Sequence, residues 1–192
     1  RNCPPHVRYV VADKSSEISY SILDEMQEEI QRRNRQFIEA GVKDFAEYRQ
    51  SSYGKTHVLP RLLVVIDEFH RMSQAAEDEP DYKRILENVF SEARSSGMAL
   101  LLCDQDISGL KGLTPKSKRL LSVRIALRNS PEEIRETLAA ENSQLTDQVK
   151  RLILDTSAGL EGSAIYKYET SDENNIFANK VVFAGCRGIY AT

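Results

Sequence analysis

The chain has 192 residues, of which 41% are hydrophobic and 29% charged, and its formal net charge is -3. This length favours one globular domain over residues 1–192, and the weakly acidic balance excludes a uniformly basic nucleic-acid coat. The three cysteines are widely separated and form no C-x-x-C pair, which excludes the usual zinc motifs and favours a reducing compartment.

The first part of the chain predicts helices. Between Ser16 and Gly41, apolar residues recur about every 3.6 residues, which indicates one long amphipathic helix with a serine N-cap and a glycine stop. We expect a short helix over residues 42–50 and a loop over residues 51–60. Before the long helix, residues 7–12 fit a strand or an extended segment.

The rest of the chain predicts strands that alternate with helices. Leu62–Ile66 and residues 98–103 are continuous apolar runs too short for stable helices, so both predict buried strands of a parallel sheet. The other predicted elements are a polar turn over residues 74–80, a helix over 81–95, a loop over 107–118, a strand over 121–127, helices over 131–140 and 145–154, and strands over 162–168 and 181–184. The alternation predicts an α/β fold with a mostly parallel sheet flanked by helices, with ligands beyond the carboxyl ends of the strands.

Two carboxylates directly follow the first apolar run. Asp67 and Glu68 at the end of a buried strand are costly unless positive charge lies nearby. Mg²⁺ bound to a nucleoside triphosphate supplies that charge, with the aspartate holding Mg²⁺ through water and the glutamate polarising the attacking water. An apolar run followed by Asp-Glu is the pattern of the Walker B motif. The alternative is that the acids cap the next helix or face water.

A polar amide follows the second apolar run. Gln105 stands between two aspartates at the end of this strand, and its side chain can donate a hydrogen bond to a γ-phosphate or to the attacking water. This position suits a γ-phosphate sensor. The alternative is that Gln105 only begins a turn.

Taken in order, these segments resemble the FtsK/SpoIIIE branch of the FtsK–HerA family of P-loop motor ATPases. The likeness is strongest in the run from Arg61 through Asp-Glu to Phe69, in the helix end at residues 94–97 and at Gln105, and it extends weakly over residues 20–168. The resemblance implies a RecA-like P-loop NTPase core, of which this chain is the C-terminal portion. It also implies ATP and Mg²⁺ as cofactors, Asp67 as the residue that binds Mg²⁺ through water, and a homo-oligomeric ring, expected to be a hexamer, on double-stranded DNA.

The sequence departs from the family pattern in several places. Asp104 replaces the threonine before the glutamine, and His70-Arg71 replace a small and an acidic residue. No G-x-x-x-x-G-K-[ST] phosphate loop occurs, and residues 53–56 copy only its last positions by coincidence. Because the first residue is Arg1 and not Met, we expect a piece of a longer protein, and the resemblance implies that the Walker A lies upstream of Arg1.

The resemblance also assigns roles to three arginines. Arg124 and Arg135 are expected to stabilise transition-state charge across a subunit boundary, and Arg94 is expected to contact nucleotide or a neighbouring subunit. The ordinary alternatives are surface salt bridges and, for Arg94, a cation at the negative end of a helix.

The resulting functional expectation is a cytoplasmic, ATP-hydrolysing DNA translocase, working with other subunits of a bacterial DNA-defence or DNA-transfer system. This chain alone is expected to be inactive because it lacks the phosphate-binding amides. Any membrane anchor would lie outside the chain. The alternatives are a type VII secretion-like export ATPase, a non-catalytic scaffold domain and, ranked last, an unrelated α/β hydrolase using Asp67 or Glu68.

Overall fold

The structure is a computed structural model that describes residues 5–8, 10–11, 15–139, 145–159, 163–169 and 175–179. The chain divides into two compact units, Arg1–Ser117 and Lys118–Thr192, and the expectation of one domain stays a prediction. In the described residues, no helix is both long and apolar enough to cross a membrane.

Three helices of the first unit pack on one another. α1 (Ser16–Glu39) lies against α4 (Phe69–Asp78) and α5 (Pro80–Glu92). Residues three or four positions apart share one face of a helix, so each helix presents one apolar face to the others. The buried apolar residues of these helices include Leu23, Met26, Ile30, Phe69, Met72, Tyr82, Leu86, Val89 and Phe90. The predicted long first helix is confirmed.

Two short helices follow α1. Gly41 takes φ 66° just past the end of α1, the left-handed conformation that glycine tolerates, as the sequence predicts. Asp44 caps α2 (Phe45–Gln50) by accepting a hydrogen bond from the Glu47 N–H at 2.9 Å. The prediction of a loop over residues 51–60 is wrong in its first half, where α3 covers Ser52–Thr56.

The two central strands form a parallel pair. β1 (Leu62–Ile66) and β2 (Met98–Leu102) run in register, with Leu62 opposite Met98 and Ile66 opposite Leu102. This pairing confirms both predicted strands and their direction, but the expectation that both strands are buried is wrong for the described residues. Alternate apolar residues of the pair are exposed, namely Leu63, Val65 and Leu101. One face of this sheet is therefore apolar and accessible.

A buried arginine fixes the amino ends of both strands. Arg33 on α1 is fully buried, and its guanidinium donates to Pro60 O at 2.9 Å and to Ser96 O at 3.0 Å. It also donates to Glu29 Oε1 at 2.7 Å. The hydrogen bond from Arg32, with a smaller contribution from Arg33, lowers the pKa of Glu29 to about 2 against the opposing effect of burial. These contacts tie α1 to the segments from which β1 and β2 start.

The connections after β1 and β2 contain more helix than the sequence predicts. The predicted polar turn at residues 74–80 is wrong, because α4 runs through Asp78 and α5 begins at Pro80. The predicted loop over residues 107–118 contains α6 (Ser108–Lys111) and most of α7 (Pro115–Leu120), which crosses the boundary between the units.

The second unit is a small antiparallel sheet with two helices. β3 (Val123–Leu127), β4 (Ala164–Glu169) and β5 (Asn175–Asn179) pair in that order, and both pairs are antiparallel. α8 (Pro131–Thr137) lies against β3, and α9 (Asp147–Ala158) lies against β4 and β5. The core of this unit consists of Ala126, Ile134, Leu138, Val149, Ile153 and Ile165.

The α/β fold class is confirmed, but parallel pairing among the described strands is limited to β1 and β2. The third predicted strand pairs antiparallel with β4, because strand direction depends on a partner distant in sequence and not on local pattern. β5 was not predicted, and residues 5–8 and 10–11 form no strand. The strand predicted at residues 181–184 lies outside the described residues.

Substitution Arg33→Met should lower the free energy of unfolding by about 3–5 kcal/mol, because it leaves the buried Ser96 carbonyl and the partly buried Pro60 carbonyl without this donor and weakens the pairing of Glu29. The matched control is Arg32→Met, which removes an exposed partner of the same carboxylate and should cost about 0–1 kcal/mol. Urea unfolding of the three proteins measures both values. Equal costs would contradict the role given to Arg33.

Candidate active site

β1 and β2 end at the same edge of their sheet. Beyond the last register pair, the N–H of Cys103 donates to Ile66 O at 2.8 Å, and the N–H of Phe69 donates to Cys103 O at 3.1 Å. The backbone pairing therefore continues past both strands. It holds the polar residues that follow each strand side by side.

Glu68 is at the centre of this polar cluster. Its Oε1 accepts a hydrogen bond from Gln105 Nε2 at 2.5 Å. The backbone of Glu68 lies in the left-handed region, at φ 55° and ψ 45°, which costs a non-glycine residue about 1–2 kcal/mol. Glu68 occupies the N-cap position of α4, yet its carboxylate makes no capping hydrogen bond. The structure thus brings together Glu68 and Gln105, the residues predicted to activate water and to sense phosphate.

Asp67 lies beside Glu68 and is exposed. Its Oδ1 accepts a hydrogen bond from the Glu68 N–H at 3.1 Å. No group of three or more His, Cys, Asp or Glu in the described residues forms a metal cluster. An exposed carboxylate with unused acceptor positions fits contact with Mg²⁺ through water, so Asp67 is the residue that would hold the ion. When bound, Mg²⁺ neutralises charge on phosphate oxygens.

His70 and Asp104 form a pair that the sequence interpretation did not anticipate. Asp104 Oδ1 lies 2.6 Å from His70 Nδ1, and Asp104 Oδ2 accepts from the His70 N–H at 2.8 Å. Both residues are departures from the family pattern. Both departures fall at the carboxyl ends of neighbouring strands, and this shared position is the feature of the sequence that could have predicted their contact.

A histidine and an arginine lie near the second oxygen of Glu68. His70 Nε2 lies 3.6 Å from Glu68 Oε2, and Arg71 Nε lies 3.8 Å from the same atom. The two carboxylate oxygens therefore have different partners. Oε1 contacts an amide, and Oε2 faces two basic side chains.

Arg94 does not join this cluster. It is exposed after the end of α5 and before β2 begins, so it lies at the amino end of the sheet and not at the carboxyl end. A five-residue strand spans about 13 Å between its ends. Any contact of Arg94 with nucleotide would therefore involve a neighbouring subunit, and that role stays a prediction.

The other two predicted arginines belong to the second unit. Arg124 donates to three backbone carbonyls, Lys118 O at 2.6 Å, Thr137 O at 3.3 Å and Leu121 O at 3.3 Å. Lys167, its register partner on β4, donates to Ala139 O at 3.1 Å just past α8. These cations suit the negative end of α8. Arg135 is half-buried on α8, and the cross-subunit roles of Arg124 and Arg135 stay predictions.

The Tyr-Gly-Lys-Thr sequence at residues 53–56 lies in α3 and not in a phosphate loop. Ser51 Oγ accepts from the Gly54 N–H at 2.9 Å and begins this helix. A Cβ at Gly54 would overlap the carbonyl oxygen of Tyr48. Close packing on α2 accounts for this glycine, which agrees with the interpretation of the motif as a coincidence.

The electrostatics of the cluster reach Cys103, which lies between the two strand ends. Burial raises the pKa of the Cys103 thiol, and the negative charges of Asp67 and Asp104 raise it further. A thiol in such surroundings is a poor nucleophile at neutral pH. Its reactivity therefore reports the negative charge at this edge of the sheet.

The fold defines the class: an α/β domain with a RecA-like fold, similar to solved P-loop ATPase domains. The sequence itself matches no protein-family profile and no curated protein. Solved structures supply the likeness instead, and the similar chains described next are ATPases of the FtsK/HerA type.

The chain is similar to the cytoplasmic domain of the type VII secretion ATPase EccC from Thermomonospora curvata, with a TM-score of 0.60 and 22% identity over 88% of this chain and 18% of that one. For the pCW3 conjugation coupling protein TcpA with ATPγS, the TM-score is 0.63 and the identity is 18% over 88% of this chain and 45% of that one. For ATPases 2 and 3 of EssC from Geobacillus thermodenitrificans, the TM-score is 0.58 and the identity is 18% over 91% of this chain and 29% of that one. The chain spans less than half of each, and identities this low show the fold alone.

Substitution Asp67→Asn should speed alkylation of Cys103 at pH 8 by roughly two- to fivefold. Removing the negative charge lowers the raised pKa of the thiol, so more thiolate is present at that pH, and the gain should vanish once the pH is high enough to ionise the thiol fully. Peptide mapping after timed iodoacetamide treatment measures the rate at Cys103. Asp81→Asn, at an exposed acid on α5, is the control and should leave the rate unchanged. An unchanged rate in Asp67→Asn would contradict the assignment of this charge.

Proposed function

We propose that this chain is part of an ATP-hydrolysing motor, a translocase subunit whose catalytic edge is the carboxyl end of β1 and β2. The observation that carries the proposal is the contact between Glu68 and Gln105, with Asp67 beside them, on a RecA-like fold. A water-activating acid and a phosphate sensor need that proximity.

The residues divide the chemistry among themselves. Asp67 would hold Mg²⁺ through water, and the ion would neutralise charge on the phosphate oxygens. Glu68 takes the proton from the attacking water. The Gln105 amide donates to Glu68 Oε1 before the nucleotide engages and then turns toward the γ-phosphate. Because of this change of partner, Glu68 stays hydrogen-bonded to Gln105 until ATP is bound.

The phosphate cradle belongs to a segment that precedes Arg1. The sequence holds no complete G-x-x-x-x-G-K-[ST], so the backbone amides and the lysine that bind β- and γ-phosphates must come from elsewhere. The exposed apolar residues Leu63, Val65 and Leu101 support this assignment, because a sheet face of this composition is normally covered. By itself the chain is expected to be inactive.

The motor acts as a homo-oligomeric ring, for which a hexamer is the expected size. Arg94 is the arginine best placed to reach a neighbouring subunit, since it is exposed and lies away from the chain's own catalytic edge. Arg135 is a second candidate. Arg124 is the weaker one, because its guanidinium already serves three backbone carbonyls.

The cargo is double-stranded DNA in a cytoplasmic DNA-defence or DNA-transfer system. The similarity to the conjugation coupling protein TcpA supports this choice. Protein export is the second candidate, because EccC is a secretion ATPase and was solved in complex with a signal sequence peptide. Stimulation of ATP hydrolysis by duplex DNA would favour the first candidate, and stimulation by a secretion-signal peptide alone would favour the second.

In the full-length protein, Glu68→Gln should abolish ATP hydrolysis, with a loss of at least about a hundredfold in kcat, and should leave ATP binding within about threefold. The amide keeps the size and hydrogen bonding of the side chain but cannot accept the proton from water. Steady-state hydrolysis and binding of a fluorescent ATP analogue measure the two effects. Glu28→Gln, at an exposed position on α1, is the control and should change neither value.

If the Glu68→Gln protein still turns over ATP at the normal rate, Glu68 is not the base. If the unaltered full-length protein binds no ATP at all, the motor proposal fails and a scaffold role takes its place.

A further inference from the structure

The carboxyl end of β1 and β2 contains a second set of contacts that the proposed chemistry does not use. Asp104, His70 and Glu68 form a continuous chain: Asp104 Oδ1 lies 2.6 Å from His70 Nδ1, and His70 Nε2 lies 3.6 Å from Glu68 Oε2. The three side chains are partly exposed, with side-chain exposed fractions of 15%, 22% and 24% in that order, and Asp104 as a whole residue is exposed.

Asp104 supplies the cap that α4 does not obtain from its own N-cap residue. Glu68 occupies that position but makes no capping hydrogen bond, because its carboxylate is turned to Gln105. The acceptor for the His70 N–H, in the first turn of α4, is instead Asp104 Oδ2 at 2.8 Å. A side chain that accepts from an N–H of the first turn stabilises the start of a helix. The neighbouring strand thus takes over the capping role and leaves Glu68 available for chemistry.

The same carboxylate orients the His70 ring. A carboxylate only accepts hydrogen bonds, so the proton of the contact lies on His70 Nδ1. With Nδ1 held by Asp104, His70 Nε2 lies 3.6 Å from Glu68 Oε2, and Arg71 Nε lies 3.8 Å from the same oxygen. The imidazole ring and the guanidinium therefore pack against Oε2, while Oε1 contacts the Gln105 amide.

α6 fits closely over this pair. Gly109 is buried, and a Cβ at that position would overlap Asp104 Oδ2 and lie 3.0 Å from the His70 N. A side chain larger than hydrogen at position 109 would therefore displace the Asp104 carboxylate. The contact between Asp104 and His70 therefore requires glycine at position 109.

We propose that His70 and Asp104 are positioning residues for ATP hydrolysis, an inference that rests on the proposed function. Asp104 caps α4 from the neighbouring strand and holds His70 against Glu68 Oε2, and this arrangement directs Oε1 to the attacking water. Neither residue touches substrate. Their effect on the reaction is exerted through the orientation of Glu68.

The test compares His70→Ala, His70→Asn, Asp104→Ala and the His70→Ala/Asp104→Ala double variant in the full-length protein. The two alanine variants should lower kcat by about 10- to 100-fold and leave the KM for ATP within about twofold, because Glu68 is misaligned while nucleotide binding is kept. Their combined loss should be no greater than that of the worse single variant, since the residues act as one unit. Gly109→Ala should reproduce the loss of Asp104→Ala.

His70→Asn separates positioning from folding. The asparagine amide can still donate to Asp104 from near the Nδ1 position, but it places nothing at Nε2. We therefore expect His70→Asn to recover the Tm lost in His70→Ala without recovering kcat. His57→Ala, at an exposed histidine stacked on Tyr53, is the control and should retain kcat.

Recovery of kcat together with Tm in His70→Asn would overturn the proposal, and so would independent, multiplicative losses in the double variant. Failure of the proposed function has a different signature. In that case the unaltered protein would not hydrolyse ATP, or Glu68→Gln would retain full activity, before any His70 variant is compared.

Discussion

The parallel pairing of β1 with β2 is the constraint on which the candidate site depends. Ile66 lies opposite Leu102, and the backbone pairing continues through Cys103 and Phe69. This register places two acids from one strand end beside an aspartate and a glutamine from the other. A shift of one residue would turn every side chain to the opposite face and separate Glu68 from its partner. The arrangement of polar side chains at the carboxyl ends of β1 and β2 is therefore a consequence of the backbone pairing between these strands.

The two ends of this strand pair have different roles. At the amino ends, buried Arg33 satisfies backbone carbonyls just before both strands and gives the pair a stable origin. At the carboxyl ends, Glu68 has a left-handed backbone, and its carboxylate is left out of the helix cap. Such strain persists where surrounding contacts maintain it, and it is common at functional sites. Here the Asp104–His70 pair, at the same end of the strands as Glu68, provides those contacts.

The sequence predicts this edge better than it predicts the rest of the fold. Continuous apolar runs with polar residues after them predicted β1, β2 and the proximity of Glu68 to Gln105, because parallel strands end at one edge. The start of α4 at Phe69 depends on a left-handed residue for which no local pattern gives a signal. The antiparallel direction of β3 depends on β4, which lies far along the chain. The His70–Asp104 contact joins residues on different elements, so each alone looked like an isolated departure.

The most direct measurement is a structure of the full-length protein with Mg²⁺ and a non-hydrolysable ATP analogue. The account predicts that the γ-phosphate lies within hydrogen-bond distance of Gln105 Nε2, that Asp67 contacts Mg²⁺ through water, and that Glu68 Oε1 no longer contacts Gln105. A nucleotide bound away from the carboxyl ends of β1 and β2, with the Glu68–Gln105 contact intact, would contradict it.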